Sequence, residues 1–325
     1  MDRRQHLGAL LGTAALAAAP RLAASQTSFD RPLRVIVPFS AGALTDVIAR
    51  LYAEKLSTRI GQSVIVENKP GAAGVIASQA LLALPADGHA LMAVSSSHAV
   101  NPSLHERLPY DTLNDFAGVA LVAASPCVVI VNPSLGVKTM AELVALAKSK
   151  PGSLTYGSAG NGAATHLVAE YFAKETGTRW VHVPYKGVQE AVAEVVAGRI
   201  DAAFPPIALA APMIRGNRLL ALALTGTERN EQLAGVPTVA ESGAPGFDYR
   251  IWYAFVAAAK SPRPVVERIA AELRAITGLP DVREKMVSQG LTPTVVTLGE
   301  FDGYIRTEID KLGRIVRGSN IRQGG

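Results

Sequence analysis

Phe39-Ser40-Ala41-Gly42-Ala43-Leu44-Thr45-Asp46 and Tyr156-Gly157-Ser158-Ala159-Gly160-Asn161-Gly162 are the stretches on which the fold turns. Each closes a short apolar run, Leu33–Phe39 or Leu154–Tyr156, and opens an amphipathic segment, about 45–59 or about 163–175. Strand, Gly/Ser turn, helix is the repeating unit of an α/β sheet. Working outward, Val64–Val66, Ala90–Val94, Val119–Ala123, Val128–Val131, Trp180–Val183, Ile200–Phe204 and Leu219–Leu224 read as strands. Helices are expected at about 75–84, 139–148, 188–197, 264–276, 281–289 and 299–316, and Ser95-Ser96-Ser97-His98 as a loop. Ser125-Pro126 marks a crossing to a second domain, and Ile251–Ala258 is a strong strand that returns the chain to the first. The expected division is therefore residues 26–124 plus 250–325 for one domain and 125–249 for the other.

Composition bounds the function. The chain has 325 residues, 49% apolar and 18% charged, enough for two domains of roughly 100–200 residues, each with its own core. Gly and Pro together fall well short of the roughly 25–30% of low-complexity chains. A single cysteine, Cys127, excludes an internal disulfide and a multi-cysteine metal site. Aromatic residues are 6% of the chain, with Trp180 and Trp252 its two indoles, too few for a ring-stacking groove. The formal charge of +5 is spread without a run of five like charges, so a nucleic-acid footprint is absent.

Residues 1–25 read as an export signal. A short basic segment around Arg3-Arg4 precedes an apolar stretch, Leu7–Ala19, and small residues follow Pro20. Such a stretch rises roughly 20 Å as a helix, short of the roughly 30 Å of a bilayer core, so a cleaved signal is favoured over an anchor. Arg3-Arg4, with Arg21 after the apolar stretch, also fits twin-arginine export. The mature chain is expected in the periplasm with a charge of about +3, large enough to fold without disulfides.

The two glycine loops lie where open α/β sheets bind ligands, beyond the carboxyl ends of strands. Free backbone N–H groups there, with a helix dipole behind them, attract anions, and glycine lets backbone approach a ligand closely. Gly/Ser turns are also ordinary helix starts. Gly157, Gly160 and Gly162 give G-x-x-G-x-G, not a dinucleotide fingerprint, and neither loop carries the Lys-Ser/Thr of a phosphate loop. There is no G-x-S-x-G elbow, and no two of the six histidines are four residues apart, which excludes an H-E-x-x-H zinc helix. His98 and His166 read as loop-packing or capping groups, Cys127 as a small buried hydrophobe, Asp46 and Asp201 as caps or turn residues, and Lys186 as a turn lysine or a carboxylate partner. No metal, cofactor or catalytic pair is expected.

Six segments in order resemble the substrate-binding receptors of tripartite tricarboxylate transporters, the Bug-type periplasmic proteins. They are Val37–Asp46, Val66–Gly74, Ser97–Leu104, Tyr156–Gly162, His182–Gly187 and Gly235–Glu241. The resemblance runs from about residue 31 to the C-terminus. It implies a two-domain periplasmic binding protein of type II, a Venus flytrap with its ligand in the interdomain cleft, acting as a monomer with integral membrane transporter subunits as partners. It also implies a small carboxylate ligand, a di- or tricarboxylate or an aromatic acid, held by backbone amides and bridging waters. Carried over by motif, the ligand-binding set is Phe39, Ser40, Ala41, Gly42, Ala43, Thr45, Asp46, Ser95, Ser97, His98, Ser158, Ala159, Gly160, Asn161, Thr165, Tyr185, Phe204 and Pro205.

Two positions depart from that family's pattern. Ala43 stands where a second glycine is usual, so a positive φ there would cost about 1 kcal/mol or more. Pro205-Pro206 replaces a polar pair after the Ala-x-Phe strand, which removes a partner for an amino group. Two readings from other classes stay open at the level of sequence: an exported α/β enzyme acting on a small anion through the same loops, and a receptor-fold sensor for a membrane signalling partner. The first lacks a supported base or nucleophile; the second uses the same pocket.

Overall fold

The computed structural model describes residues 29–318 and residue 321; the expected signal at 1–25 lies outside them. Two sheets form. The first runs in the order β11-β4-β10-β3-β1-β2, from β1 (Leu33–Val37), β2 (Val64–Asn68), β3 (Ala90–Ser95), β4 (Phe116–Pro126), β10 (Arg250–Ala258) and β11 (Thr292–Thr297). The second runs β7-β6-β8-β5-β9, from β5 (Val128–Val131), β6 (Thr155–Ser158), β7 (Val181–Pro184), β8 (Ala202–Ala203) and β9 (Leu220–Leu224). The chain is α/β, and the expected strands fall in these sheets.

Each sheet carries the same parallel core. β1 lies between β2 and β3 and is parallel to both. β6 lies between β7 and β8 and is parallel to both. The strand order thus reverses at β1 and at β6, and at such a switch point the carboxyl ends of neighbouring strands open a crevice. The two quoted glycine loops leave those two strands. Each feeds a helix: α1 (Leu44–Ile60), ended by Gly61 at φ 69°, and α5 (Ala164–Thr176), ended by Gly177 at φ 64°. Glycine suits both stops because the left-handed conformation carries no Cβ penalty there.

β10 is buried along nearly its whole length and pairs antiparallel with β3 and β4. Its Trp252 indole N–H donates to Glu308 Oε2 at 3.1 Å, which ties the strand to α10 (Leu298–Gly318). α10 and α8 (Arg263–Thr277) pack on β4, and one apolar cluster continues from the first sheet into the second.

Three elements depart from the sequence expectation. Ser97–Leu104 is a helix, α3, despite Pro102 inside it. Ile207–Arg215 forms α7 directly after Pro205-Pro206, with Pro206 at its N-cap. Thr292–Thr297 is an edge strand, β11, which tolerates Pro293 because an edge can lack a ladder N–H.

The chain passes between the sheets twice, at Cys127 and at Tyr249, and Thr225 ties the two passages. Its Oγ1 accepts from Cys127 N–H at 2.8 Å and donates to the Tyr249 carbonyl at 2.7 Å. Its own N–H donates to the Cys127 carbonyl at 2.9 Å, and its carbonyl accepts from Tyr249 N–H at 2.8 Å. Thr225 is fully buried. Thr225→Val keeps the shape but leaves a buried donor and a buried acceptor unpaired, each costing about 1–3 kcal/mol. Urea unfolding of Thr225→Val should show a loss of about 2–4 kcal/mol, with Thr225→Ser losing clearly less; equal losses in the two variants would contradict the tie.

Candidate functional site

The loop after β1 is organised by one carboxylate. Asp46, nearly fully buried, accepts from Gly42 N–H at 2.9 Å, Arg50 Nε at 3.0 Å and Asn68 Nδ2 at 2.8 Å. Burial alone would raise the Asp46 carboxyl; the bonds from Arg50, Gly42 and Asn68 outweigh it and hold the group below its ordinary range. Asn68 also donates to the Phe39 carbonyl at 2.9 Å. Gly42 takes the positive φ, 83°, while Ala43 is extended at φ −64°, ψ 152°. The missing glycine at 43 therefore carries no backbone penalty, contrary to the sequence expectation.

The loop after β6 is built the same way from different side chains. Thr165 Oγ1 accepts from Ala159 N–H at 3.0 Å, Ser158 Oγ from Gly160 N–H at 3.1 Å, and His166 Nδ1 from Gly162 N–H at 3.0 Å. Several amides counted from sequence as free are thus committed within the loop. Both ensuing helices nonetheless start without a cap. Ala43 and Ala163 are the N-cap residues, with nearly the same backbone (ψ 152° and 154°), and neither makes a side-chain capping bond. Alanine is among the poorest N-caps, costing about 1 kcal/mol against Ser, Asp or Asn. The N–H groups of Leu44, Thr45 and Asp46, and of Ala164 and Thr165, have no acceptor among the described residues. Two helix N-termini, one on each sheet, present open donors beside the exposed tips Ser40–Gly42 and Asn161.

The loop after β6 reaches α3 on the first sheet. A Cβ on Gly162 (φ 72°) would lie 2.6 Å from Leu104 Cδ1 at the end of α3, so only glycine permits this approach. The Tyr249 hydroxyl donates to the Ala164 carbonyl at 3.2 Å, fixing the first turn of α5 to the strand that re-enters the first sheet.

Behind the first loop lies a narrow cavity of about 10 Å³ lined by Pro38, Ala73, Gly74, Ser95, His98 and Asn101, among others. Two of its polar atoms, His98 Nε2 and Asn101 Oδ1, are buried without a partner in the chain. The volume and these groups suit a single ordered water. Ser95 and Ser97 pair through their hydroxyls at 2.9 Å. Ala72 and Ala73 hold φ of 45° and 51°, a left-handed conformation costing roughly 1–2 kcal/mol per residue, and the Ala73 carbonyl accepts from Asn101 Nδ2 at 3.2 Å. Val66–Gly74 and Ser97–Leu104 stand among the resembling segments, but Asn68, Ala73 and Asn101 are not in the ligand-binding set carried over from them. The unusual Gly71-Ala72-Ala73-Gly74 pattern was the available signal.

Of the remaining expected site residues, Tyr185 adjoins the loop after β6, its N–H donating to the Ser158 carbonyl at 3.0 Å. Tyr185 lays its ring against Gly157 and joins the apolar cluster of the second sheet. Phe204 is buried edge-on to Tyr156, and the Pro205 carbonyl accepts from Val128 N–H at 2.9 Å. Among the described residues no group of three or more His, Cys, Asp or Glu could hold a metal ion, and no helix is long and apolar enough to cross a membrane.

Burial keeps His98, His166 and His182 neutral. It pushes His98 down to about 4 and His182 down to about 4; it pushes His166 down to about 3, with help from His182 stacked on it at 3.8 Å. An unfolded histidine titrates near 6.5, so below that pH the unfolded state binds more protons. Stability from these groups is complete above about 6.5 and is lost as pH falls toward about 4. Urea titrations between pH 7 and pH 4.5 should show falling stability, with a shallower slope in His98→Leu; a flat profile would contradict neutral burial.

Residues 48–321 match the family described as tripartite tricarboxylate transporter family receptor. Protein BugT of Bordetella pertussis is 33% identical over 313 residues, spanning 96% of this chain and 95% of that protein. Among solved structures, Rpa4515 of Rhodopseudomonas palustris with adipate is 29% identical with TM-score 0.82, covering 90% of this chain and 98% of that one. MatC of the same organism, with bound malate, is 26% identical with TM-score 0.76, covering 88% and 99%.

Proposed function

We propose that this chain, which belongs to the tripartite tricarboxylate transporter family of receptors, captures a small dicarboxylate between the loops after β1 and β6. It works in the periplasm as a monomer and hands the acid to integral membrane transporter subunits. The observation that carries the reading is the pair of uncapped helix N-termini. Each lacks the side-chain oxygen that would satisfy its first-turn N–H groups, and a ligand carboxylate supplies that oxygen with the helix dipole in its favour. One carboxylate per helix matches a diacid, the class of the adipate and malate held by the two structural relatives.

The energetics suffice without an arginine clamp. A charge-assisted hydrogen bond contributes roughly 1.5–3 kcal/mol. Four to six of them exceed the ~8 kcal/mol of a micromolar complex before association costs are subtracted. Closure follows because a ligand that touches both loops only in the closed state shifts the equilibrium toward it. The domain division expected from sequence supplies the moving parts, with Cys127 and Tyr249 as the hinge strands. An enzyme reading gains no support from the site: His98 and His166 are held neutral by burial, and Asp46 is engaged by its loop.

Installing the missing cap tests this directly. Ala163→Asp places a carboxylate where the ligand's would lie. It should raise the melting temperature, in keeping with a gain of about 1 kcal/mol, and weaken adipate and malate binding by at least about tenfold in calorimetry. Ala43→Asp should behave alike from the other side. Unchanged affinity for both acids in both variants would remove the helix ends from the site.

Specificity follows from Pro205-Pro206. Neither residue offers an N–H, and the Pro205 carbonyl is already taken by Val128 N–H. Aspartate or glutamate should therefore bind more weakly than malate or adipate; a clear calorimetric preference for the amino acids would overturn this assignment.

A further inference from the structure

A second cavity, of about 550 Å³, opens on the far flank of the loop after β6, against α5 and the edge strand β7. Its size is that of a small-molecule site. Lys174, Arg179 and Arg317 stand around it, and none of the three has a carboxylate partner among the described residues. Glu170, an acid on the same wall, accepts from the Tyr156 hydroxyl at Oε1 at 2.6 Å, and its charge is one the three cations outnumber.

The wall also contains a donor built for an acceptor. His166 has only 6% of its side chain exposed. Its Nδ1 accepts from Gly162 N–H, so the proton of the neutral ring sits on Nε2. That Nε2–H lies 4.0 Å from Glu170 Oε1, beyond hydrogen-bond distance. This donor lines the cavity beside three exposed cations without a carboxylate partner among the described residues, a set that suits an anion carrying several oxygens.

We propose that this cavity binds a second, small multiply charged oxyanion, a phosphate or polycarboxylate, distinct from the acid held between the two sheets. Lys174 and Arg179 supply charge from one side and Arg317 from the end of α10, while His166 Nε2–H donates from the floor. The occupant sits directly behind the ligand loop. His166 holds the Gly162 amide and stacks on His182, whose Nε2 lies 2.6 Å from Ser158 Oγ. Both ring contacts end on the loop that follows β6. The inference does not depend on which acid the interdomain site takes.

The test uses the chain with pyrophosphate and, separately, citrate at fixed ionic strength, following the His166 ring resonances by NMR, assigned by their loss in His166→Gln. The expected result is a saturable shift with one or both probes. Its affinity should fall at least about tenfold in Lys174→Gln/Arg179→Gln and be unaltered in Ala163→Asp. A pyrophosphate response alone assigns phosphate chemistry, and a citrate response alone assigns carboxylate. No shift with either probe overturns the proposal, as does a shift that persists in the double variant. A shift abolished by Ala163→Asp also overturns it, because the probe then sits in the interdomain site. Failure of adipate to bind would bear on that site and not on this cavity.

Discussion

The tie at Thr225 is the constraint around which the rest is arranged. Two antiparallel passages between sheets cross a buried region, and there the backbone N–H and C=O groups have to find partners. One threonine, with its amide, its carbonyl and its hydroxyl all engaged, closes that account for Cys127 and Tyr249 together. Because the partners are fixed, the two sheets keep their register at the crossing even if they rotate about it. The loop after β6 then keeps its approach to α3 on the first sheet, where Gly162 lies against Leu104.

The two halves solve one problem with unrelated side chains. Asp46 gathers the first loop and draws Arg50 and Asn68 in to stay ionised. In the second loop Thr165, Ser158 and His166 divide the same task with no charge at all. In both, organising groups sit inside the helix (Asp46 in α1, Thr165 and His166 in α5) instead of at its cap, so the loop is held firmly while the first-turn amides stay open. A capped helix would be steadier, with its first-turn amides no longer open. The poor cap at Ala43 and Ala163 costs about 1 kcal/mol each, and under the function proposed above those open amides are where the acid would bind.

Much of the fold was legible because strand–Gly/Ser–helix units are local. Val37–Asp46 and Tyr156–Gly162 announce themselves through apolar runs that stop at glycine. What escaped was decided by tertiary context. Pro102 argues against a helix at 97–104, yet the helix is held by burial of Ala99, Val100 and Leu104. Pro293 argues against a strand, which only its place at the sheet edge permits. In the site, loop location could be read from sequence but the bookkeeping of amides could not. That Gly42, Ala159, Gly160 and Gly162 donate inward depends on Asp46, Thr165, Ser158 and His166 turning back onto them, which spacing alone does not reveal. Asn68 and Asn101 were passed over for the same reason: their partners, the Phe39 and Ala73 carbonyls, are distant in sequence.

The lone cysteine lies at the crossing, fully buried, with its thiol pushed up to about 12 by burial. Only a thiolate reacts with disulfide or maleimide reagents at an appreciable rate, and a reagent must first reach the sulfur. Cys127 is therefore inert for as long as the strands at Thr225 remain paired. Its slow modification in native conditions is a chemical clock for how often that joint comes apart, recorded without any introduced probe.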